Sequence, residues 1–142
     1  MRIALAADES YAVHQTILAE LARRGHTTEA FGAFGGGKDA PWAVVARQAA
    51  LSVAGRECDE GIFLCWTGTG ISIAANKVHG IRAALCGDAG TAAGARIWNH
   101  ANVLCLSHRT LSDDIAKEIL AAWFDTPMDA RGDAGVALLT EG

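Results

Sequence analysis

The sequence has little proline and little tyrosine, with two prolines and one tyrosine among 142 residues. Its four cysteines, Cys58, Cys65, Cys86 and Cys105, form no C-x-x-C pair. That spacing argues against a zinc site or a dithiol redox centre, and for reduced thiols in a cytoplasmic chain. Long apolar runs are missing too. Met1-Arg2 leads straight into Ile3-Ala4-Leu5-Ala6-Ala7 and then Asp8, too short for a secretory signal and far too short for a membrane span. Positive charge is in deficit, with Lys+Arg 12 against Asp+Glu 16 and a net charge of −4. Neither nucleic acid nor an anionic membrane is the expected partner of such a chain.

What is present is apolar. Hydrophobic residues make up 51% and charged residues 20%, which excludes a disordered or fibrous composition. The length suits one domain over residues 1–142 with a sizeable core.

The pattern alternates strand and helix. Residues 2–7 read as a first buried strand, and Val13, Ile17, Leu18 and Leu21 fall at helical spacing over 13–24, with Gly25 just beyond. A short strand follows over 27–31, then a glycine-rich loop over 32–38, then a helix opened by Pro41 and running to 54. Strands are expected over 61–65, 81–86 and 102–106. Helices are expected over 71–77, 88–98 and from Ser112, a plausible N-cap, to 124. The tail from Asp125 carries no clear pattern. Five strands separated by helices predict an α/β fold, a three-layer α/β/α sandwich around a Rossmann-like five-stranded parallel sheet. Ligands of such sheets sit beyond the carboxyl ends of the strands. Those ends carry Asp8, Cys65, Cys86-Gly87-Asp88 and Ser107-His108-Arg109.

The stretch Gly61-Ile62-Phe63-Leu64-Cys65-Trp66-Thr67-Gly68-Thr69-Gly70-Ile71-Ser72-Ile73-Ala74-Ala75-Asn76-Lys77 carries the chemistry. An apolar strand delivers Cys65 to a glycine turn that opens a helix. Backbone N–H groups there can hold an anion, and a thiol beside them is expected to ionise more readily. A thiolate next to an anion cradle suits proton abstraction beside a carbonyl, with the cradle holding the enediolate oxygen. The plainer reading is that Cys65 is a buried small apolar residue. The turn is not a P-loop, since no Gly-Lys-Ser/Thr follows, and it lacks the dinucleotide fingerprint G-x-G-x-x-G.

With Gly80-Ile81-Arg82-Ala83-Ala84-Leu85-Cys86, Asp88, Asn99, Ala101-Asn102-Val103-Leu104 and Arg109, this stretch resembles the ribose-5-phosphate isomerase B family. That family also contains the galactose-6-phosphate isomerase subunits. The resemblance covers nearly the whole chain. It implies aldose–ketose isomerisation of a small sugar phosphate through an enediolate, with no metal and no organic cofactor. It implies a homodimer or homotetramer with the site at the subunit interface. On that resemblance Cys65 is the general base moving a proton between C1 and C2, and Thr67 assists at the oxygens. The backbone of Trp66, Gly68, Thr69 and Gly70 holds the enediolate. Asp8 contacts substrate hydroxyls, Asn99 contributes from the neighbouring subunit, and Arg109 binds the distal phosphate.

The departures are informative. Where the family has Asp-His-Ala-Gly, this chain has Asp8-Glu9-Ser10-Tyr11, so a phosphate-binding histidine is replaced by the anion of Glu9. Trp98 stands where the family has the histidine that opens the furanose ring, and an indole N–H is no general acid at neutral pH. His100 lies two residues on and faces elsewhere in a helix. Met128 falls on the first of two phosphate-binding arginines, and Arg131 falls near the second. Trp66 replaces a glycine, and Asp39-Ala40-Pro41-Trp42 stands where the family has Asp-Tyr-Pro. These changes point to an altered substrate. A four-carbon sugar with phosphate on O4 cannot close a furanose ring, so a tetrose or tetrulose phosphate fits a site without a ring-opening acid. A second reading is a non-catalytic or heteromeric member that binds a sugar or sugar phosphate. Trp123 is expected in the core, Cys58, Cys86 and Cys105 as packing thiols, and His14, His26, His79 and His108 at ordinary surface positions with no metal-ligand spacing.

Overall fold

Every residue of β3 (Glu60–Cys65) is buried. It runs in the middle of the sheet between β1 (Arg2–Ala7) and β5 (Val103–Ser107), parallel to both. In this computed structural model, which describes residues 1–141, β2 (Thr27–Gly32) and β4 (Ala83–Leu85) complete the sheet in the order β2-β1-β3-β5-β4. A strand covered on both faces reads as an unbroken apolar run, and 61–65 and 3–7 do.

The helices form the outer layers. α1 (His14–Arg23), α4 (Ala89–Asn99) and α5 (Asp113–Asp125) pack together on one face. There Ile3, Leu5, Ile62, Leu64, Leu104 and Leu106 meet Ile17, Leu21, Ile119, Leu120 and Trp123. α2 (Trp42–Ala54) and α3 (Thr69–Asn76) cover the other face around Phe63, Val45 and Ile71. Local chemistry sets the ends. Gly25 has φ +81° after α1, and His26 N–H closes back on the Leu21 carbonyl at 3.0 Å. Asp88 accepts from Thr91 N–H at 2.7 Å and Ser112 from Ile115 N–H at 3.1 Å, capping α4 and α5.

Some expected boundaries move. The strand expected over 81–86 is shorter because side-chain amides take the bonds at its start. Asn102 Oδ1 accepts from Arg82 N–H at 2.8 Å, and Asn76 Oδ1 accepts from Ala83 N–H at 2.8 Å. The helix expected from 71 begins at Thr69, since left-handed Gly68 at φ +76° ends the turn sooner. The unassigned tail forms a 3-10 turn, Ala130–Gly132, and then α6 (Asp133–Ala137), packed on α4. Gly142 lies outside the described residues.

Two buried polar groups tie the layers, and neither was evident from the sequence. Glu60 and Arg96 form an ion pair at 2.8 Å with both side chains almost fully buried. Trp123 is in the core as expected, its Nε1–H donating to Glu60 Oε1 at 3.0 Å, and Arg96 lies 4.5 Å over its ring. Arg96 also donates to the Ala101 carbonyl at 2.7 Å. This cluster joins the start of β3 to α4 and α5. His14, expected at the surface, is 2% exposed because its position on α1 faces inward. It stacks on Phe34 at 4.0 Å, and its Nδ1 accepts from Gly35 N–H at 3.5 Å, which anchors the glycine-rich loop. Burial, helped by nearby His108 and opposed by Asp8, pushes its pKa down to about 4.

Arg96→Met leaves the Glu60 carboxylate buried without its partner. It is expected to lower the unfolding free energy by about 3–5 kcal/mol in urea titration, with much of the loss recovered by adding Glu60→Gln. His14 is held neutral in the fold but gains a proton in the unfolded chain below about pH 6.5. Its share of stability is therefore present above that pH and is lost as pH falls toward about 4. Urea midpoints measured across this window should fall less steeply for His14→Phe than for the parent.

Candidate active site

Connections from β1 and β3 leave in opposite directions, so the sheet switches between their carboxyl ends. Ala7 is paired with Leu64, and Cys65 is paired with Ser107. This register sets Asp8, Cys65 and His108 around one point. Cys65 is 5% exposed at the base of the turn, and Gly68 N–H donates to its sulfur at 3.2 Å. A donor aimed at sulfur is the arrangement a thiolate uses.

The turn is fastened from outside. Arg109 N–H and Ser107 Oγ–H donate to the Trp66 carbonyl at 3.0 and 3.2 Å, tying the turn to the end of β5. Thr67 and Thr69 share a hydroxyl hydrogen bond at 2.8 Å. A Cβ on Gly68 would stand 2.9 Å from the Leu106 carbonyl oxygen and 2.5 Å from Leu85 Cδ1. A Cβ on Gly70 would stand 3.0 Å from the Trp42 ring. Both positions thus need glycine for close packing, and Gly68 also for its backbone. At the start of α3 the N–H groups of Gly70 and Ile71 find no protein acceptor among the described residues. Donors left unbonded at a helix start are the kind that can hold an anion.

Asp8 is half-buried and its Oδ1 accepts from the Tyr11 hydroxyl at 2.9 Å, with Glu9 Oε2 at 3.4 Å from that hydroxyl. Burial, the bond to Asp8 and the negative charges of Asp8, Glu9 and Cys65 raise the Tyr11 pKa far above its ordinary value. Tyr11 stacks on His108 at 4.1 Å, and Trp66 tilts against the same imidazole at 5.5 Å. His108 is thus half-buried beside the site and not at an ordinary surface position, because the end of β5 delivers it onto Tyr11. Sequence reasoning gave Tyr11, His108 and Trp42 no role, although it placed His108 in a strand-end stretch that faces ligands. Their one signal was position, in the loop between β1 and α1, just after β5, and at the start of α2. The other cysteines are packing thiols: burial pushes Cys86 up to about 11, aided by Asp88, and Cys105 further still.

Trp98, Asn99 and Arg131 are not brought to Cys65 within one chain. α4 runs antiparallel to the strands, starting beside Asp88 at the carboxyl edge and ending at Asn99 beside the start of β5. Its 11 residues span roughly 16 Å. Asn99 instead lines a groove of about 530 Å³ with Asn76, Ile81, Arg82, Val136 and Leu139. Arg131 lies 5.9 Å over the Trp98 ring, and its guanidinium is held by Asp129 at 2.7 Å. His100 Nε2–H donates to the Asp129 carbonyl at 2.8 Å, away from the turn. Arg109 forms no ion pair among the described residues.

The model of the family described as Ribose/Galactose Isomerase matches residues 3–136. A ribose-5-P isomerase B of Listeria innocua is 34% identical over 99% of this chain and 96% of its own length. A D-erythrulose-4-phosphate isomerase of Pectobacterium atrosepticum is 36% identical over 94% of this chain and 89% of its own. Among solved structures, ribose-5-phosphate isomerase B of Clostridium thermocellum superposes with a TM-score of 0.91 at 36% identity, covering 99% of this chain and 96% of that one. Likeness of this extent, along the whole sheet and through the glycine turn, places the chain in the ribose/galactose isomerase family, as an aldose–ketose isomerase.

Proposed function

We propose that this protein isomerises a small sugar phosphate with Cys65 as its general base. The observation that carries the reading is the sulfur at the floor of the turn, 3.2 Å from Gly68 N–H and beside two N–H groups without acceptors. The thiolate takes the proton from the carbon next to the carbonyl. Negative charge then develops on the carbonyl oxygen and meets the N–H groups of Gly70 and Ile71. The Thr67 hydroxyl moves a proton between the two oxygens, and Cys65 returns the carbon-bound proton to the neighbouring carbon. The step needs neither a metal nor an organic cofactor, since fixed backbone dipoles supply the charge stabilisation.

The rest of the site favours a four-carbon substrate over ribose 5-phosphate. The indole of Trp98 supplies no acid to open a ring. Glu9 and the ion-paired Arg131 offer a phosphate little attraction, whereas the unpaired Arg109 offers more. The Pectobacterium atrosepticum relative is itself named for D-erythrulose 4-phosphate. We read the assembly as a homodimer, or a tetramer built from dimers, in the cytoplasm. Asn99 sits at the opposite edge of the sheet from Cys65, so a second copy is the means by which both serve one site.

Solvent-deuterium incorporation at C1 or C2, followed by NMR, tests the chemistry. Erythrulose 4-phosphate should exchange, and Cys65→Ala should slow exchange by about 10²–10⁴-fold without changing the circular dichroism spectrum. Full exchange by Cys65→Ala would remove the assigned base. No exchange by the parent with tetrose, pentose or hexose phosphates would favour a binding or heteromeric role. Shared sites make a second expectation. Cys65→Ala and Asn99→Ala are each inactive alone, and after unfolding and refolding together should regain activity up to about a quarter of the parent's. Absence of any recovery would mean that Asn99 is not supplied to the site by a second chain, and full activity of Asn99→Ala alone would place it outside the site.

A further inference from the structure

Three side chains at the mouth of the turn form a continuous stack. Tyr11 and His108 lie face to face at 4.1 Å with planes 20° apart, and Trp66 leans against the same imidazole at 5.5 Å and 47°. Trp66 and Tyr11 both occupy positions where the resembled family motif has glycine, so two large rings stand where there would otherwise be open space. The stack is fixed through a side chain at its Tyr11 end and through the backbone at its Trp66 end. The Tyr11 hydroxyl is bonded to Asp8, and the Trp66 carbonyl is clamped by Ser107 and Arg109.

His108 shows that the stack is maintained at a cost. Its Nδ1 is shielded from solvent and has no hydrogen-bond partner among the described residues. An imidazole free to turn outward would give that nitrogen to water, and leaving it unbonded is unfavourable. The ring is instead held between its neighbours. Aromatic rings have few torsions, so such a stack yields little to an incoming ligand.

We propose that Tyr11, His108 and Trp66 form a rigid wall beside Cys65 that sets the length of substrate, admitting a four-carbon sugar phosphate and excluding longer chains. This rests on the isomerase reading above and adds the residues that choose the substrate. The reacting carbons must lie against Cys65 and the cradle. The wall then bounds the remaining chain, and Arg109, leaving the turn next to it, takes the phosphate. Tyr11 has a further positioning role, because its hydroxyl fixes the Asp8 carboxylate that would otherwise swing toward a longer polyol.

The test compares kcat/KM for erythrulose 4-phosphate and ribose 5-phosphate in the parent, Trp66→Ala, Trp66→Phe and the double variant Tyr11→Gly/Trp66→Gly. Trp66 is 55% exposed, so Trp66→Ala reads the wall without opening the core. The parent should prefer the four-carbon substrate. Trp66→Ala and the double variant should shift the ratio toward five carbons by about tenfold or more, and Trp66→Phe should keep the parent's preference. Calorimetric binding of the four- and five-carbon aldonic acid phosphates should show the same shift independently of turnover. A parent that prefers ribose 5-phosphate overturns the wall, as does a ratio that stays fixed while both rates fall. Absence of turnover on every sugar phosphate overturns the isomerase reading itself, together with the wall that depends on it.

Discussion

The site depends on one backbone constraint, the left-handed turn at Gly68. Its φ of +76° and the lack of room for a Cβ against Leu106 and Leu85 leave no other residue type unstrained there. Because the chain turns at that point, Gly68 N–H falls on the Cys65 sulfur and α3 begins with its first N–H groups facing the same space. The carbonyl of Trp66 is then free to be held by Ser107 and Arg109 from β5. The Cys65 sulfur, the start of α3 and the end of β5 are thus organised by one glycine. Catalytic groups placed on rigid elements in this way lose little free energy to reorganisation during reaction.

The opposite end of β3 is fixed by a different kind of interaction. Glu60, Arg96 and Trp123 form a buried polar cluster among apolar layers. Its net stabilisation is modest, since both charges give up hydration. Its consequence for geometry is larger, because it fixes where α4 ends. That end carries Trp98 and Asn99 at the edge of the sheet remote from Cys65, beside a groove containing exposed Leu139. A site that uses those residues is one that two chains complete together.

Charge at the mouth of the site is uneven. Asp8 and Glu9 crowd the Tyr11 hydroxyl, whereas Asp129 neutralises Arg131 within its own chain. Arg109 is left as the cation nearest the turn without an ion pair among the described residues. A phosphate would be drawn to that side of the site, and hydroxyls to the carboxylate side. The aromatic stack separates the two. Shape and charge therefore act together on the same short stretch of substrate.

The sequence by itself determined the elements and the reactive turn. The apolar runs of β1, β3 and β5, Gly25 after a helix and Ser112 before one are local signals, and each was realised within a residue of where it was read. The glycine turn after Cys65 was legible for the same reason, since its conformation depends on residues adjacent in the chain. The strand order, the burial of His14 and His108, and the pairing of Glu60 with Arg96 were decided by tertiary structure alone. Each depends on which distant residues become neighbours, and periodicity contains no such information. The shortened β4 belongs to the same class, because Asn76 and Asn102 take its bonds from outside the strand. Local chemistry marked out the turn after Cys65; long-range packing determined what surrounds it.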